Sequence, residues 1–400
     1  MSDLTEITGA LDTSDGIYFA PLLPWQKTLW SQLTKRVSTS QQSLPHAMLA
    51  AGMQGMGKRA FVWRLVAWLL CRQRDTHPFG ACAECESCQW LRSGTHPSLQ
   101  VLPIVSMPVS VENTNNKEAA SSSAKDKKSA KAASNSALKI KVDDIRALQP
   151  FIYQGGQGMR ICVLDHAEKM TVAAANALLK TLEEPQAQVH LFLLSDTPAQ
   201  LLPTIKSRVQ QLPLQTIEPA TAVEYVTQAL GSTVNREAVG TAAIEQLIQL
   251  ANGAPLAAIA LAQAPWYSKR ALWLTTWQAL RSGKRSSIAA SDYWQTQLSI
   301  IEFIQLSELM LLDMRRVCLG LSELQKDISL SVALDTYQPT DSGLEGFATS
   351  LQQTKIALQQ NVQEKFAYDI YSQSTVEIRC SRTKKIKTKI KMLTYYLMIY

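Results

Sequence analysis

The sequence lacks any apolar run long enough to cross a membrane. A membrane-spanning helix needs about 18 apolar residues in succession, and no run in this chain of 400 residues reaches that length. The opening stretch MSDLTEITGALDTSDG is acidic and polar, unlike a secretory signal. Only 18% of the residues are charged and 46% are hydrophobic, which is typical of globular proteins with a substantial core. We therefore expect a cytoplasmic protein without a membrane partner, divided into about two or three domains.

Acidic residues are missing from one stretch near the C-terminus. That stretch holds seven basic residues: Arg379, Arg382, Lys384, Lys385, Lys387, Lys389 and Lys391. Without them the formal net charge of +7 falls to zero, so the sequence predicts a basic tail rather than a basic body. Such a tail can contact the phosphates of nucleic acid. A solvated terminus is the alternative, and the sequence leaves both open.

Cysteine is scarce outside one cluster. Four of the seven cysteines follow the spacing C-x10-C-x2-C-x2-C: Cys71, Cys82, Cys85 and Cys88. In a cytoplasmic chain such a cluster favours a metal over disulfides, and four thiolates suit the tetrahedral coordination of Zn²⁺. The spacing therefore predicts a closed, structural zinc site with no open position for catalysis. Four free thiols are the alternative.

The stretch GMQGMGKR has the pattern of a phosphate-binding loop, with Gly52, Gly55 and Gly57 before Lys58. The apolar run HAMLAA before it predicts a buried strand, and the apolar spacing after it predicts a helix, which is the setting that such a loop requires. Glycines let backbone N–H groups approach phosphates, and the lysine adds a positive charge. The next residue should carry a hydroxyl for Mg²⁺, but Arg59 has no atom that can bind a metal. The loop predicts descent from a nucleotide site without predicting that ATP still binds; a glycine turn with no ligand is the alternative.

A second element of a nucleotide site follows the predicted strand RICVL. Asp165 lies where a carboxylate that supports Mg²⁺ would be, and a helix N-cap is an equal alternative. The next residue, usually a glutamate that polarises water in an ATPase of this type, is His166. We expect the start of a helix to direct Glu168 away from this site.

Predicted strands alternate with predicted helices as far as about residue 215, which indicates a parallel sheet with helices on both faces. The segment 105–137 is rich in Ser, Ala, Lys and Asn and has almost nothing to bury, so we predict a disordered insertion. The predicted division is a tail over 1–20, an α/β domain over 21–215 with the cysteine module at 71–88, a small helical domain over 216–266, a larger helical domain over 267–378 and the basic tail over 379–400.

A Ser-Arg pair, Ser207 and Arg208, follows a short predicted helix. An arginine at such a point can reach the γ-phosphate bound to a neighbouring subunit and serve as an arginine finger. Taken alone, the pattern fits a solvated surface arginine better.

Several segments together resemble the bacterial clamp-loader ATPase family. They are LDHAEKM (164–170), ANALLKTLEEP (175–185), the Ser-Arg pair, the cysteine cluster, and LPHAML before the glycine loop. The degenerate loop, with THPSLQVL (95–102), is similar to the delta-prime branch of that family within DNA polymerase III. The resemblance is close over about residues 21–215 and looser across the helical remainder. It implies an α/β AAA+ domain with a P-loop-NTPase-like parallel sheet, then a helical lid domain and an all-α collar domain.

The resemblance also implies a function and partners. Delta-prime members are taken as non-hydrolysing scaffolds in a heteropentameric ring with motor (tau/gamma) and delta subunits. The ring places a sliding clamp on primer–template DNA in the replisome at the nucleoid. In that setting Ser207 and Arg208 face the ATP site of the adjacent motor subunit, and the four cysteines hold structural Zn²⁺.

Two positions depart from the motor-subunit pattern or the family pattern. The family's Ser-Arg-Cys triplet ends in Val209, and the lid arginine that senses nucleotide in motor subunits falls at Leu256. Together with Arg59 and His166, Leu256 predicts a subunit that has no ATPase activity of its own. The resemblance implies that this subunit belongs to a DNA-directed DNA polymerase holoenzyme. The alternative is an active AAA+ ATPase subunit of the same clamp loader.

Overall fold

The computed structural model describes residues 16–38, 44–104, 139–153, 158–214, 216–233, 240–328, 330–336, 339–359 and 368. The chain divides into two compact units, the first ending at Leu261 and the second beginning at Ala262. Three predicted segments lie outside the described residues, wholly or for the most part: the tail 1–20, the insertion 105–137 and the basic tail 379–400. The finer division into three folded domains remains a prediction.

The first unit contains a parallel sheet of five strands. They are β1 (Ala47–Ala51), β2 (Leu99–Leu102), β3 (Arg160–Leu164), β4 (Val189–Ser195) and β5 (Gln210–Gln211). Their order in the sheet is β2-β3-β4-β1-β5, and all neighbours are parallel. Every residue of β1 and β4 is buried, as expected for central strands covered on both faces. The segments that follow β1, β3 and β4 therefore meet at one edge of the sheet, formed by the carboxyl ends of the strands.

Within the described residues, six helices accompany this sheet. They are α1 (Lys27–Ser38), α2 (Lys58–Leu70), α3 (Glu86–Arg92), α4 (Val142–Tyr153), α5 (Val172–Glu183) and α6 (Pro203–Lys206). Side chains along a strand alternate between the two faces: Met48 and Ala50 join a buried cluster with α1 and α2, whereas Leu49 joins a second cluster with α4 and α5. Because β1 packs against helices on both faces of the sheet, it is apolar throughout. These findings confirm the predicted fold class.

Three further helices follow the sheet: α7 (Pro219–Thr233), α8 (Thr241–Leu250) and α9 (Pro255–Gln263). The helix α7 contains Gly231 and continues to Thr233, since a single glycine costs a helix only about 1 kcal/mol. Within the described ranges, no single helix has the length and apolar character to cross a membrane. By length and composition alone, α8 and α9 pass that test as a pair bent by 106°.

The described part of the second unit is helical. Its helices are α10 (Arg270–Arg281), α11 (Ser287–Gln297), α12 (Ile300–Cys318), α13 (Leu330–Thr336) and α14 (Asp341–Gln359). Trp273, Trp277 and Phe303 lie in its buried core. A capping box starts α12, in which Ser299 and Glu302 bind each other's backbone N–H groups. This unit has its own core, in agreement with the helical pattern of the sequence.

Candidate functional site

The glycine loop connects β1 to α2, as predicted, and α9 lies directly against it. Gly55 has a φ of +90° and Gly57, the N-cap of α2, a φ of +80°, values that favour glycine. A Cβ atom on Gly55 would lie 2.5 Å from the Cβ of Ala257. The backbone N–H of Leu256 donates to the carbonyl of Gly55 at 3.1 Å. The loop is therefore in contact with the first turn of α9 through its own backbone.

Two side chains that precede α1 bind other carbonyls of the loop. The indole Nε1 of Trp25 donates to Met56 at 3.1 Å, and the amide of Gln26 donates to Gly57 at 3.0 Å. Contacts within the chain thus hold the loop from two sides.

The ammonium of Lys58 is bound within the chain as well. Lys58 is only 3% exposed; its Nζ donates to the carbonyl of Met53 at 3.1 Å and pairs with Asp196, the residue after β4. Burial lowers the pKa of Lys58, and the neighbouring Asp196 carboxylate opposes that effect. The charge predicted to meet a phosphate is compensated by a carboxylate of the same chain.

Arg59 bridges two carboxylates that follow adjacent strands. Its Nε lies 3.0 Å from Oδ1 of Asp165, its Nη1 lies 2.9 Å from Oδ2 of Asp196, and its Nη2 donates to Nδ1 of His166 at 3.1 Å. Burial opposes the charge, but the two carboxylates outweigh it and raise the pKa of Arg59. A guanidinium therefore neutralises the acidic groups that a divalent cation would otherwise neutralise.

Asp165 has contacts that neither sequence-based alternative includes. Its carboxylate accepts from Arg59 and from the backbone N–H of His166 at 2.8 Å. His166 adopts a left-handed conformation with φ +53°, and the short helix that follows spans Ala167–Lys169. The side chain of Asp165 is 6% exposed, so its charge depends on these partners.

The expectation for Glu168 was wrong. Its Oε1 lies 3.5 Å from Nδ1 of His166, and His166, Glu168 and Asp196 each place one atom within 4.8 Å of the others. Burial disfavours the Glu168 carboxylate, but His166 and the backbone N–H of Glu168 outweigh it and lower its pKa to about 2. The left-handed turn at His166 brings Glu168 back to the site, a change of direction that residue spacing does not reveal.

Asp196 is a site residue that the sequence analysis missed. It directly follows the apolar run VHLFLLS, in the same position relative to β4 as Asp165 has relative to β3. Because β4 pairs with both β1 and β3, a polar residue at its carboxyl end had to lie beside the glycine loop. Its position directly after a predicted apolar strand was the signal by which the sequence could have identified Asp196.

The four predicted cysteines converge on one point. Their Sγ atoms all lie within 4.8 Å of one another, with separations of 4.0 Å for Cys71–Cys85, 3.8 Å for Cys82–Cys88 and 3.5 Å for Cys85–Cys88. Tetrahedral Zn–S bonds of about 2.3 Å place sulfurs about 3.8 Å apart. The backbone N–H of Cys82 points at Sγ of Cys71 at 3.4 Å. The residues fit a four-thiolate metal site.

A hydrogen bond from Ser87 connects the cysteine module to the last residue of α2. Ser87 donates its hydroxyl to the carbonyl of Leu70 at 2.6 Å and lies 2.8 Å from Nε2 of His96. Burial, with a smaller contribution from Arg72, lowers the pKa of His96 to about 4. A neutral imidazole thus lies beside the four cysteines and is not part of their cluster.

Ser207 and Arg208 lie on the surface between α6 and β5. The Arg208 guanidinium contacts Oε1 of Glu183 at 2.7 Å, the carbonyl of Thr204 at 3.0 Å and the hydroxyl of Ser207 at 3.3 Å. The hydroxyl of Ser207 donates to the same carbonyl of Thr204 at 3.0 Å. Val209, where the family pattern has cysteine, packs against the apolar cluster of α4 and α5.

Arg208 lies far from the glycine loop of its own chain. Gln210 of β5 is paired with Met48 of β1, so Arg208 precedes the amino end of the strands whereas the loop follows their carboxyl end. Six residue steps separate the two levels, about 20 Å at 3.3 Å per residue. A phosphate bound at this chain's own glycine loop is therefore out of reach of Arg208.

The strand order, the loop between β1 and α2, and the helices that follow define an AAA+-type module of the P-loop fold. A family model described as "DNA polymerase III, delta subunit" matches residues 25–218. The DNA polymerase III subunit delta' of Escherichia coli is 30% identical over 271 residues, which is 67% of this chain and 70% of that protein. The chain belongs to the delta-prime family of DNA polymerase III subunits.

Two other relatives show how much of each protein is covered by the similarity. The delta' subunit of Pseudomonas aeruginosa is 37% identical over 241 residues, 60% of this chain and 61% of its own length. The gamma/tau subunit of Mycobacterium bovis is 29% identical over 178 residues, 44% of this chain and 25% of its own length. The matched part of the chain thus spans 70%, 61% and 25% of the length of these three relatives.

Replacing Arg59 tests whether its guanidinium stabilises the carboxylates of Asp165 and Asp196. We expect Arg59→Thr to lower the free energy of unfolding by about 1–3 kcal/mol, because it leaves the buried Asp165 without its charged partner. Urea denaturation monitored by circular dichroism measures the difference. Mg²⁺ at millimolar concentration should recover part of the loss in Arg59→Thr and leave the wild-type chain unchanged.

Arg146→Thr is the matched control. Arg146 pairs with Asp143 on the surface of α4, where both side chains are mostly exposed, and such pairs contribute about 0–1 kcal/mol. Equal effects of the two substitutions, or a Mg²⁺ response in both, would contradict a specific role for Arg59.

Proposed function

We propose that this protein is a non-hydrolysing clamp-loader subunit that lends an arginine to the ATP site of a neighbouring motor subunit. It would serve as a scaffold in the ring that loads the sliding clamp onto primed DNA. Arg208 is the residue that would touch the neighbour's γ-phosphate, with Ser207 beside it. Family membership supports the clamp-loader setting. The absence of hydrolysis is inferred from the glycine loop at one edge of the sheet, and the arginine-finger role from Arg208 at the opposite edge.

The observation that carries this proposal is the set of contacts made by Arg59. In a P-loop ATPase the loop hydroxyl and a carboxylate hold Mg²⁺, which neutralises the charge that develops on the transferred phosphoryl group. Here Arg59 replaces the hydroxyl and engages the carboxylates of Asp165 and Asp196. Lys58 is bound to Asp196 as well. Hydrolysis in this chain would require all of these ion pairs to separate.

Similarity to a gamma/tau subunit supports a motor partner of the same fold. The further partners in this proposal are a delta subunit in a heteropentamer, the sliding clamp and primer–template DNA, in a cytoplasmic replication complex. The metal in the proposal is Zn²⁺, because four converging thiolates suit its coordination. Zn²⁺ would hold the cysteine module in shape, with Cys71, Cys82, Cys85 and Cys88 as its ligands.

An active ATPase subunit of the same clamp loader is the second candidate. The retained Gly52, Gly55, Gly57 and Lys58 favour it. The side chain of Leu256 argues against it, because leucine supplies no charge where a motor subunit uses an arginine.

The purified chain separates the two candidates. With ATP, Mg²⁺ and primed DNA, it should release no phosphate above background, while a motor subunit assayed in parallel does. Fluorescent ATP titrated into the same sample reports binding separately from turnover. Phosphate release at the rate of the motor subunit would exclude the non-hydrolysing assignment.

A further inference from the structure

Glu183, the last residue of α5, lies beside Arg208. Oε1 of Glu183 is 2.7 Å from Nη2 of Arg208, and the two side chains are 51% and 37% exposed. Glu183 precedes the amino end of β4 and Arg208 precedes the amino end of the edge strand β5, so both lie at the edge of the sheet opposite the glycine loop.

The ion pair with Glu183 is one of three contacts that hold the guanidinium of Arg208. Nη2 contacts Glu183, while Nη1 contacts the carbonyl of Thr204 and the hydroxyl of Ser207. A guanidinium has five N–H donors, so three intramolecular contacts do not exhaust them. Thr204 and Ser207 belong to the same short segment as Arg208, and only Glu183 connects the group to a different helix.

Such an exposed ion pair contributes little to folding, because solvent screens it and both side chains lose freedom. Its larger effect falls on the conformations that Arg208 samples. An arginine side chain that is already ordered loses less entropy when it meets a phosphate. Glu183 is well placed to confine the guanidinium, since α5 is anchored in the core by Leu178 and Leu182.

We propose that Glu183 is a positioning residue for Arg208, holding the guanidinium in place for the γ-phosphate of ATP bound to the neighbouring subunit. This inference rests on the proposed function and deepens it. Glu183 would not touch the nucleotide; it would act only through Arg208.

The test is a double-mutant cycle in the reconstituted clamp loader, using full-length Glu183→Ala, Arg208→Ala and the double variant. We expect Glu183→Ala to lower kcat for ATP hydrolysis at the adjacent motor site about two- to tenfold, with KM for ATP unchanged. In the Arg208→Ala background, Glu183→Ala should have no further effect, because its partner is gone. Glu183→Gln, which keeps an acceptor without the charge, should lie between.

Glu184→Ala is the matched control, since Glu184 is the adjacent exposed acidic residue. Native mass spectrometry should show the same assembled complex for all variants, and their melting temperatures should be equal. These two measurements separate an effect on the position of Arg208 from an effect on assembly or stability. A wild-type or raised rate in Glu183→Ala would overturn the positioning role while leaving the finger intact. A further loss in the double variant would overturn it too. An unchanged rate in Arg208→Ala would overturn the proposed function and this inference together.

Discussion

Arg208→Ala is expected to lower ATP hydrolysis at the adjacent motor site of a reconstituted clamp loader by roughly 10³-fold, the lower end of what arginine fingers contribute. The positive charge would be lost where negative charge develops on the transferred phosphoryl group. Arg208 is exposed and lies about 20 Å from the level of its own loop, so the effect has to appear in the neighbour. Single-turnover hydrolysis measures it, in complexes whose other motor sites are inactivated through their loop lysines.

Arg146→Ala controls for the loss of a surface arginine, because Arg146 lies on α4 and pairs with Asp143. It should leave the rate at the wild-type value. Arg208→Lys keeps a charge without the planar fork and should recover only part of the activity. If Arg208→Ala hydrolyses ATP as fast as the wild-type complex while assembly is intact, the finger role is wrong.

Removal of the metal is expected to have the second large effect. Structural Zn²⁺ contributes about 10–16 kcal/mol of apparent binding free energy in small peptides, and two of its proposed ligands in this chain, Cys71 and Cys88, are buried. Cys88→Ser, or a strong chelator, should therefore unfold the segment from the end of α2 through α3. Limited proteolysis should then cut within residues 71–92, which resist cleavage in the metal-loaded chain.

Cys318→Ser is the control for this prediction, because Cys318 ends α12 and lies outside the cluster. It should leave the protease pattern and the metal content unchanged. Elemental analysis should find about one zinc per wild-type chain. A folded, unchelated sample without zinc, or one in which Cys88→Ser keeps its zinc, would contradict the assignment.

The fold followed from the sequence wherever hydrophobic periodicity was strong. HAMLAA, RICVL and VHLFLLS all became buried parallel strands, because only strands covered on both faces are apolar throughout. The helix α5 begins at the N-cap Thr171 and ends before Pro185, as capping and proline rules dictate.

The nucleotide site was predictable only in part. The loop, its missing hydroxyl and the cysteine cluster were found because their chemistry is encoded in short spacings. The partners of Arg59 were not, since Asp196 lies 137 residues away in the chain and reaches the site only through the strand order. Glu168 was misplaced because a left-handed turn at a single non-glycine residue, His166, reverses the local direction.

The hydrogen bond from Leu256 to the carbonyl of Gly55 has a consequence for how this subunit responds to metabolism. Leu256 lies in the first turn of α9. Here the same helix is attached to the loop by backbone atoms of the chain itself. A change in the angle between the sheet and α9 would have to break this hydrogen bond, so the proposed scaffold subunit would keep one geometry whatever the cellular ratio of ATP to ADP.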